Sequence, residues 1–333
     1  MQTRSSSVGD VVADRDLSNG RRDHDAGVSV ILSTFAPDLA VLRLVLSAAA
    51  VALGRVARSE LIIVENGSRD VNDDLLQLVP QAHLIRLADP SLLSARCAGI
   101  SVAQYNVLVF LDDDTIVRPD YALAALDLAE THPSIGVFGG RILARLEKPI
   151  ARWKKPALPY LAVRDSELAF KARWGQTTHP DDPVGAGMVL RRVVAERLAS
   201  YAVANPEAKL GREGDGLAGC EDSAICLLAD DLKLGRAYAG KLELEHVIPH
   251  WRLNTGYLIR LIRSTGASAA RLAYSRGGVS ALRRLSLVGL AARLVRDLVR
   301  NGPAGYLTWQ WSLGYWQTAN TIADGRVRRQ PNT

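Results

Sequence analysis

Four short clusters of polar residues in this 333-residue chain have the composition of a catalytic site. The most distinctive is Asp112-Asp113-Asp114, which directly follows the apolar run NVLVFL. Adjacent carboxylates raise one another's pKa unless a cation lies among them, and in an extended segment the first and third point the same way. Asp112 and Asp114 can therefore share a hard divalent cation, Mg²⁺ or Mn²⁺, with Asp113 facing elsewhere. An acidic loop or a helix N-terminal cap before Tyr121 is the alternative interpretation.

Two further clusters offer carboxylates at predicted element ends. Glu65 precedes Asn66-Gly67 and can accept hydrogen bonds from a base or ribose, although the same residues form an ordinary turn. Glu221 and Asp222 follow a glycine-rich stretch and begin a predicted helix. Acidic residues at a helix N-terminus complement its dipole, and a general base on a loop that closes over substrate has the same pattern.

The fourth cluster contains His246 and His250, whose spacing suggests zinc. The zinc-protease pattern requires Glu where Val247 stands, and Pro249 argues against both imidazoles lying on one helix face. A single His246 that joins two carboxylates around a metal ion fits better. Residues 214–219 match G-x-G-x-x-G, but no apolar strand precedes them, so a dinucleotide site is not predicted there.

Short apolar runs that alternate with helical segments must position these clusters. The predicted strands are 28–34, 60–66, 83–87, 106–111, 184–190 and 241–248, and the predicted helices are 38–53, a stretch from about 70, 91–103, 191–200 and 221–231. Such alternation implies right-handed crossovers and a mostly parallel sheet with helices on both faces. The sequence therefore predicts an α/β fold with ligands beyond the carboxyl ends of the strands.

Composition limits the class of protein. The chain is 48% hydrophobic and 23% charged, which excludes a disordered or fibrous protein. Three scattered cysteines exclude a disulfide framework and favour a reducing compartment. Residues 1–27 form a predicted disordered leader without a signal-peptide core, and no apolar run is long enough to span a bilayer. The sequence thus predicts a cytoplasmic protein.

The C-terminal region is strongly basic. Residues 252–333 contain thirteen Arg and two Asp, whereas 28–251 carry a net charge of −4. An anionic partner explains this, and so does a general preference for Arg over Lys, which number 34 and 7. Residues 257–300 are predicted to be helical and amphipathic, either packed on the domain or lying on an anionic membrane surface at its cytoplasmic face. The aromatic and basic interleaving of RNA-binding modules is missing, so nucleic acid is not a predicted partner.

Seven segments in order resemble glycosyltransferase family 2, the inverting nucleotide-sugar enzymes of the GT-A fold, over about residues 28–265. They are VSVILSTFAPD, LIIVENGSRD, LLSARCAGI, FLDDDT, GAGMVLRR, CEDSAICLLA and HVIPHWRL. FLDDDT resembles the family's Asp-X-Asp metal motif. The chain departs from the family pattern at Glu65, where Asp is commoner, and at Cys97, where Asn is usual.

The resemblance implies a GT-A fold, Rossmann-like with a mostly parallel central sheet, and a role for each matched residue. Asp112, Asp114 and His246 would hold Mg²⁺ or Mn²⁺ against the donor diphosphate, Asp222 would be the catalytic base, and Glu221 would position the acceptor. The residues implied for nucleotide-sugar binding are Thr34, Glu65, Asn66, Arg96, Asp112 and Asp113. The expected domains are the leader 1–27, a catalytic domain 28–256 with nucleotide half 28–120 and acceptor half 121–256, and a helical extension 257–333.

The predicted function is therefore an inverting glycosyltransferase that moves a sugar from a nucleoside-diphosphate donor to an acceptor hydroxyl, in cell-surface glycan or glycoconjugate synthesis. The acceptor would be a glycan, a lipid-linked molecule or a small molecule. One alternative is a polyprenyl-phosphate sugar synthase, although such enzymes usually add obvious membrane spans. Another is an inactive GT-A domain that serves as a binding module, against which Asp112, Asp114, Asp222 and His246 count.

Overall fold

A computed structural model describes residues 26–88, 90–205, 217, 219–283 and 286–324. Most of the predicted leader 1–27 and of the glycine-rich stretch 205–219 lies outside these residues. The strands are β1 Val28–Thr34, β2 Ser59–Asn66, β3 His83–Leu87, β4 Val107–Asp112, β5 Thr115–Val117, β6 Ile135–Leu146, β7 Phe170–Arg173, β8 Val189–Arg191 and β9 Gly235–Ile248. The helices are α1 Leu39–Leu53, α2 Asp73–Leu76, α3 Leu92–Val102, α4 Tyr121–Thr131, α5 Arg192–Ala204, α6 Glu221–Asp231, α7 Thr255–Gly277, α8 Leu287–Asn301 and α9 Pro303–Ala323.

The strands form one mixed sheet in the order β3-β2-β1-β4-β8-β6-β9-β5, with β7 added beside β9. The pairs β1–β2, β1–β4, β2–β3 and β6–β9 are parallel, and the short strands β5, β7 and β8 run against their neighbours. Most strands therefore share one direction. This confirms the α/β class with a mostly parallel central sheet.

Apolar residues on both faces of the sheet bury it between helices. Val30 and Leu32 of β1 belong to a core that includes α1 and α4, and Ile31 between them belongs to a second core with α3, α5 and α6. Alternation along a strand sends neighbouring side chains to opposite faces. Both faces of β1 are therefore covered, as the short, mainly apolar and β-branched run VSVILST predicted.

Two predicted elements differ in the structure, and the long strand β6 is an addition to the prediction. The stretch from about residue 70 is only the short helix α2, whose N-terminus is capped by Asn72. The strand predicted for 184–190 begins only at Val189, because Gly187 has a positive φ of 74° and turns the chain before it. Strand β6 was not predicted. It pairs in parallel with β9 and so fixes the position of β9 in the sheet.

The C-terminal helices form a third layer. The predicted helix 257–300 is interrupted after Gly277, where Gly278 adopts a positive φ of 64°. Helices α7 and α9 share an apolar core with the 3₁₀ segment Arg152–Leu161 and with Ile248 at the end of β9. No helix among the described residues combines the length and apolarity needed to cross a membrane.

Candidate active site

The carboxyl ends of three neighbouring strands bring the first predicted residues together. Thr34 at the end of β1 is in register with Glu65 on β2, and Ser33 is in register with Asp112 on β4. Parallel strands end at the same sheet edge, so these side chains share one side of the molecule. The three-strand arrangement follows directly from the apolar runs that precede each polar cluster.

Asp113 is held by the loop that follows β1. Its Oδ2 accepts hydrogen bonds from Thr34 Oγ1 at 2.8 Å and from the Phe35 backbone N–H at 3.1 Å. Burial raises the pKa of Asp113 to about 7, the neighbouring Asp114 carboxylate adds to this, and the two hydrogen bonds oppose it. Asp112, Asp113 and Asp114, hereafter the Asp triplet, therefore form a region of crowded negative charge.

Asp114 faces the last strand, where His246 lies. Strand β5 pairs with β9 so that Thr115 is opposite His246, and His246 Nε2 is 3.1 Å from Asp114 Oδ2. The other ring nitrogen, Nδ1, lies 2.8 Å from the carbonyl oxygen of Leu161. Arg252 Nη1 is 2.9 Å from the same Asp114 oxygen and 3.4 Å from His246 Nε2. His250 instead contacts Glu147, so only one imidazole of the pair reaches this group.

The His246 contacts test whether these residues suit a metal ion. A carbonyl oxygen only accepts, so Nδ1 carries the proton and a neutral ring directs the Nε2 lone pair at the Asp114 carboxylate. Arg252 Nη1 lies against both of these acceptors and supplies positive charge beside them. A histidine that donates Nδ1–H to a backbone carbonyl is the usual arrangement for a metal ligand. With the oxygens of Asp112 and Asp114, the donor set suits Mg²⁺ or Mn²⁺.

The three predicted ligands do not yet form a closed metal site. Across the described ranges, no three His, Cys, Asp or Glu side chains are grouped so that they could hold a metal ion. Asp114 and His246 are in contact, whereas Asp112 Oδ1 lies 3.3 Å from Arg96 Nη2. Asp112 is therefore held by Arg96 through one of its two oxygens.

Arg96 connects the Asp triplet to the start of α6. Its Nη1 is 2.9 Å from Glu221 Oε1 and 3.7 Å from Asp222 Oδ1, and its guanidinium lies 4.9 Å from the Phe110 ring centroid. Burial alone would lower the pKa of Arg96, but the carboxylates of Glu221, Asp112 and Asp222 raise it above its ordinary value. Arg96 is therefore a permanent buried cation among three carboxylates.

The close packing of α3 on β1 fixes Arg96 in this place. A Cβ on Gly99 would lie only 2.4 Å from Ile31 Cγ2, so glycine lets the helix approach the strand. Arg96 is one turn away on the same helix and is almost wholly buried. The local sequence ARCAG thus combines a cation with the small residue that allows it to reach the strand ends.

Glu221 and Asp222 have opposite environments. Glu221 is only 3% exposed, and burial raises its pKa while Arg96 partly opposes that rise. Its second oxygen, Oε2, has no hydrogen-bond partner in the part of the chain that the structure describes. The Asp222 side chain is 39% exposed and lies beside the same guanidinium. Asp222 can therefore meet an incoming molecule, whereas Glu221 lies beneath it.

The comparison with known families agrees with this arrangement. The sequence model of glycosyl transferase family 2 matches residues 29–198, about half of the chain. The chain belongs to glycosyl transferase family 2. No curated protein matches the sequence. Family membership assigns the GT-A fold and glycosyltransferase activity in general terms, and members of the family often use divalent metals. The matched segment ends before Glu221, Asp222 and His246. The contacts of Glu221 with Arg96 and of His246 with Asp114 connect these residues to the matched segment.

In this glycosyl transferase family 2 chain, Glu65 and Asn66 are engaged by neighbouring loops. Glu65 is fully buried, and its two oxygens accept from the Val71 backbone N–H at 2.9 Å and from Arg86 Nε at 2.8 Å. Asn66 Oδ1 accepts from the Ser91 backbone N–H at 2.9 Å. Both side chains therefore shape the loops at the strand ends, and their contact with a nucleotide remains a prediction.

Three residues near the site were not predicted from the sequence. Arg252 belongs to the segment HVIPHWRL, which resembles the family, but the sequence did not indicate its contact with Asp114. Gly185 approaches Arg96 and Asp222 so closely that a Cβ would lie 2.6 Å from Arg96 Nη2 and 2.7 Å from Asp222 Oδ1. Arg164 lies within electrostatic range of Asp222, and burial lowers its pKa. No sequence signal distinguished Arg164.

Proposed function

We propose that this protein is an inverting, metal-assisted glycosyltransferase that transfers a sugar from a nucleoside-diphosphate donor to an acceptor hydroxyl. The observation that carries the proposal is the Arg96 bridge, which joins Asp112 of the Asp triplet to Glu221 and Asp222. The bridge brings the Asp triplet, which we propose binds the donor diphosphate through a cation, and the exposed Asp222 carboxylate into one site. This is the pair of groups that sugar transfer needs.

The donor would bind at the carboxyl ends of β1, β2 and β4. Thr34, Glu65, Asn66, Arg96, Asp112 and Asp113 are the residues proposed to bind or shape the nucleotide-sugar site. Asp112, Asp114 and His246 would hold Mg²⁺ or Mn²⁺, and a bound cation of this kind offsets the charge of a departing diphosphate. Arg252 is a fixed cation beside Asp114 and would bind phosphate oxygens as well.

Asp222 would act as the general base. An acceptor hydroxyl has a pKa far above 7, so a carboxylate within about 3 Å must take its proton as the hydroxyl attacks the anomeric carbon. The exposed Asp222 side chain can approach such a hydroxyl. Glu221, bound to Arg96, would hold the acceptor side of the site in position without exchanging a proton. Orienting both substrates for in-line attack can contribute roughly 7–11 kcal/mol.

The position of Glu221 supports an inverting reaction. A covalent route through the enzyme needs a second carboxylate placed to attack the sugar, as in retaining glycosidases. Glu221 is buried and paired with Arg96, which supports Asp222 acting in a single displacement. The proposal includes an acceptor that is a glycan, a lipid-linked molecule or a small molecule in cell-surface glycan or glycoconjugate synthesis, with the enzyme at the cytoplasmic side.

The test compares Asp222→Asn with Asp231→Asn, a substitution of an exposed aspartate at the other end of α6. Turnover is measured as nucleoside-diphosphate release from a panel of nucleotide-sugars with Mn²⁺ and mixed acceptors. The Asp222→Asn substitution is expected to lower the turnover rate by about 10²–10⁴-fold, whereas the control should turn over at the wild-type rate. Full turnover in Asp222→Asn would remove Asp222 as the base and would favour a phosphate acceptor, which needs no deprotonation.

A further inference from the structure

Helix α8 exposes an apolar face. The side chains of Val288, Val295 and Val299 are 78%, 61% and 80% exposed, and Leu290 is the buried residue of the helix. Exposed apolar residues recur every three or four positions along one side of the helix. They are Leu287, Val288, Ala291, Val295, Leu298 and Val299. At 3.6 residues per turn these positions form one continuous stripe. A contiguous exposed apolar stripe on a folded protein indicates an interaction surface.

The opposite side of α8 is fixed to the protein. Trp309 Nε1 on α9 donates a hydrogen bond of 3.1 Å to the Leu290 carbonyl. A Cβ on Gly305 would lie 1.9 Å from the Asp297 carbonyl oxygen, so the two helices meet backbone to backbone. Helix α9 packs in turn against α7, where Gly314 approaches the Arg263 carbonyl just as closely. The apolar stripe is therefore held in a set orientation, facing away from the helices that anchor it.

The charges of α8 identify the kind of partner. Arg293, Arg296 and Arg300 lie on the side of the helix between the apolar stripe and the attached face. The helix has one acidic residue, Asp297, and Arg296 Nη2 is 2.8 Å from its carboxylate. An apolar face flanked by arginines is the pattern of helices that lie in the interface of an anionic bilayer. Tyr306, exposed at the start of α9, is a residue type enriched at that interface.

We propose that the stripe of α8 is a membrane-contact surface, with the helix parallel to an anionic lipid bilayer. A second copy of the chain is the competing occupant. Two stripes packed face to face about a two-fold axis would bring two helices together that each carry three arginines and only one acidic residue, Asp297, and this excess of like charge is unfavourable. A lipid surface instead supplies both apolar contact and negative charge. The proposal concerns binding alone and does not depend on the proposed catalytic function.

The experiment uses the full chain and vesicle flotation. One set of vesicles is phosphatidylcholine alone, and the other contains about one quarter phosphatidylglycerol. The test variant is Val288→Glu/Val295→Glu/Val299→Glu, and the control is Val51→Glu/Val193→Glu/Val203→Glu, which places the same three charges at exposed valines of α1 and α5. Circular dichroism and gel filtration of each variant establish that it is folded.

The wild-type chain and the control are expected to float with anionic vesicles and to float less with neutral ones. Flotation should fall when salt is raised from about 0.1 M to about 1 M, because the screening length shrinks from about 10 Å to about 3 Å. The α8 variant should lose at least about tenfold in bound fraction. Absence of wild-type flotation, or equal flotation of the α8 variant, would overturn the proposal. A wild-type dimer that the α8 variant alone converts to a monomer, without flotation, would assign the stripe to self-association instead.

Discussion

Arg96 and Glu221, 125 residues apart in the chain, form a buried ion pair in which Nη1 lies 2.9 Å from Oε1. The pair joins helix α3 to the first residue of α6. Asp112 and Asp222 lie beside the same guanidinium, at 3.3 Å and 3.7 Å. The two halves of the candidate site are therefore held together by one cation.

Removing the Glu221 carboxylate should destabilise the fold, because Arg96 would keep its charge in a buried place. Glu221→Ala is expected to lower the free energy of unfolding by about 3 kcal/mol, the low end for a broken buried pair, since Asp112 still offsets part of the charge. Glu221→Gln should cost less, because its amide oxygen can still accept from Nη1. Urea unfolding followed by circular dichroism measures the free energy of unfolding of both variants. Equal stability of Glu221→Ala and the wild type would show that the pair does not hold the two halves together.

A side chain at Gly185 should displace Asp222. A Cβ would lie 2.6 Å from Arg96 Nη2 and 2.7 Å from Asp222 Oδ1, and Arg96 is buried whereas the Asp222 side chain is 39% exposed. Gly185→Ala is expected to reduce turnover by about 10²-fold, the effect of a misplacement of about 1 Å at a reacting group. Gly219→Ala, at a position with open space around the added Cβ, is the control. Unchanged nucleoside-diphosphate release by Gly185→Ala would show that displacing the Asp222 side chain does not slow transfer.

The cysteines should be unreactive in the folded protein. All three are free thiols, and burial raises the pKa of Cys97 to about 12 and of Cys220 to about 12. Only about one thiol in ten thousand is then ionised at pH 8, and labelling needs the thiolate. Reaction with Ellman's reagent should be slow at pH 8, should accelerate as pH rises, and should reach three equivalents quickly in urea. Rapid labelling of the native protein at pH 8 would contradict this burial.

The sequence predicted the strands that carry the site because their signals are local. The runs VSVILST and NVLVFL are buried on both faces, and such strands need no knowledge of their neighbours to be recognised. The polar residues that follow them were correctly expected at one sheet edge, since parallel strands end together. The family resemblance was confirmed by the match over residues 29–198.

The contacts between distant segments were not predictable in the same way. Arg96 could be placed near the nucleotide only by resemblance, and its pairing with Glu221 depends on how α3 and α6 pack. Arg252 reaches Asp114 because the 3₁₀ segment His250–Leu253 turns the chain back after β9. The strand predicted for 184–190 exists only from Val189 onward, because the positive φ of Gly187 is a property of the turn and not of the apolar pattern.

The domain boundaries remain predictions. Residues on both sides of position 256 share one apolar core, which includes Ile248 of β9, Leu258 of α7 and Leu307 of α9. Truncation there would expose these side chains to water, so point variants are the better way to study the extension. The charge count of the tail pointed to an anionic partner, whereas the exposed stripe that such a partner would cover emerged only from the packing of α8 on α9.

The central claim is that the Asp triplet and His246 bind a divalent cation together with a nucleoside diphosphate. Calorimetric titration of UDP, GDP, CDP and dTDP into the wild type and Asp114→Asn, each with Mn²⁺ and with EDTA, tests it most directly. Asp127→Asn, an exposed aspartate of α4 that contacts Lys241, is the matched control. We expect the wild type and the control to bind at least one of these nucleotides, with an affinity that falls at least about tenfold in EDTA. Asp114→Asn should lose this dependence on metal. Nucleotide binding of equal strength with and without metal in the wild type, or unchanged metal dependence in Asp114→Asn, would contradict it.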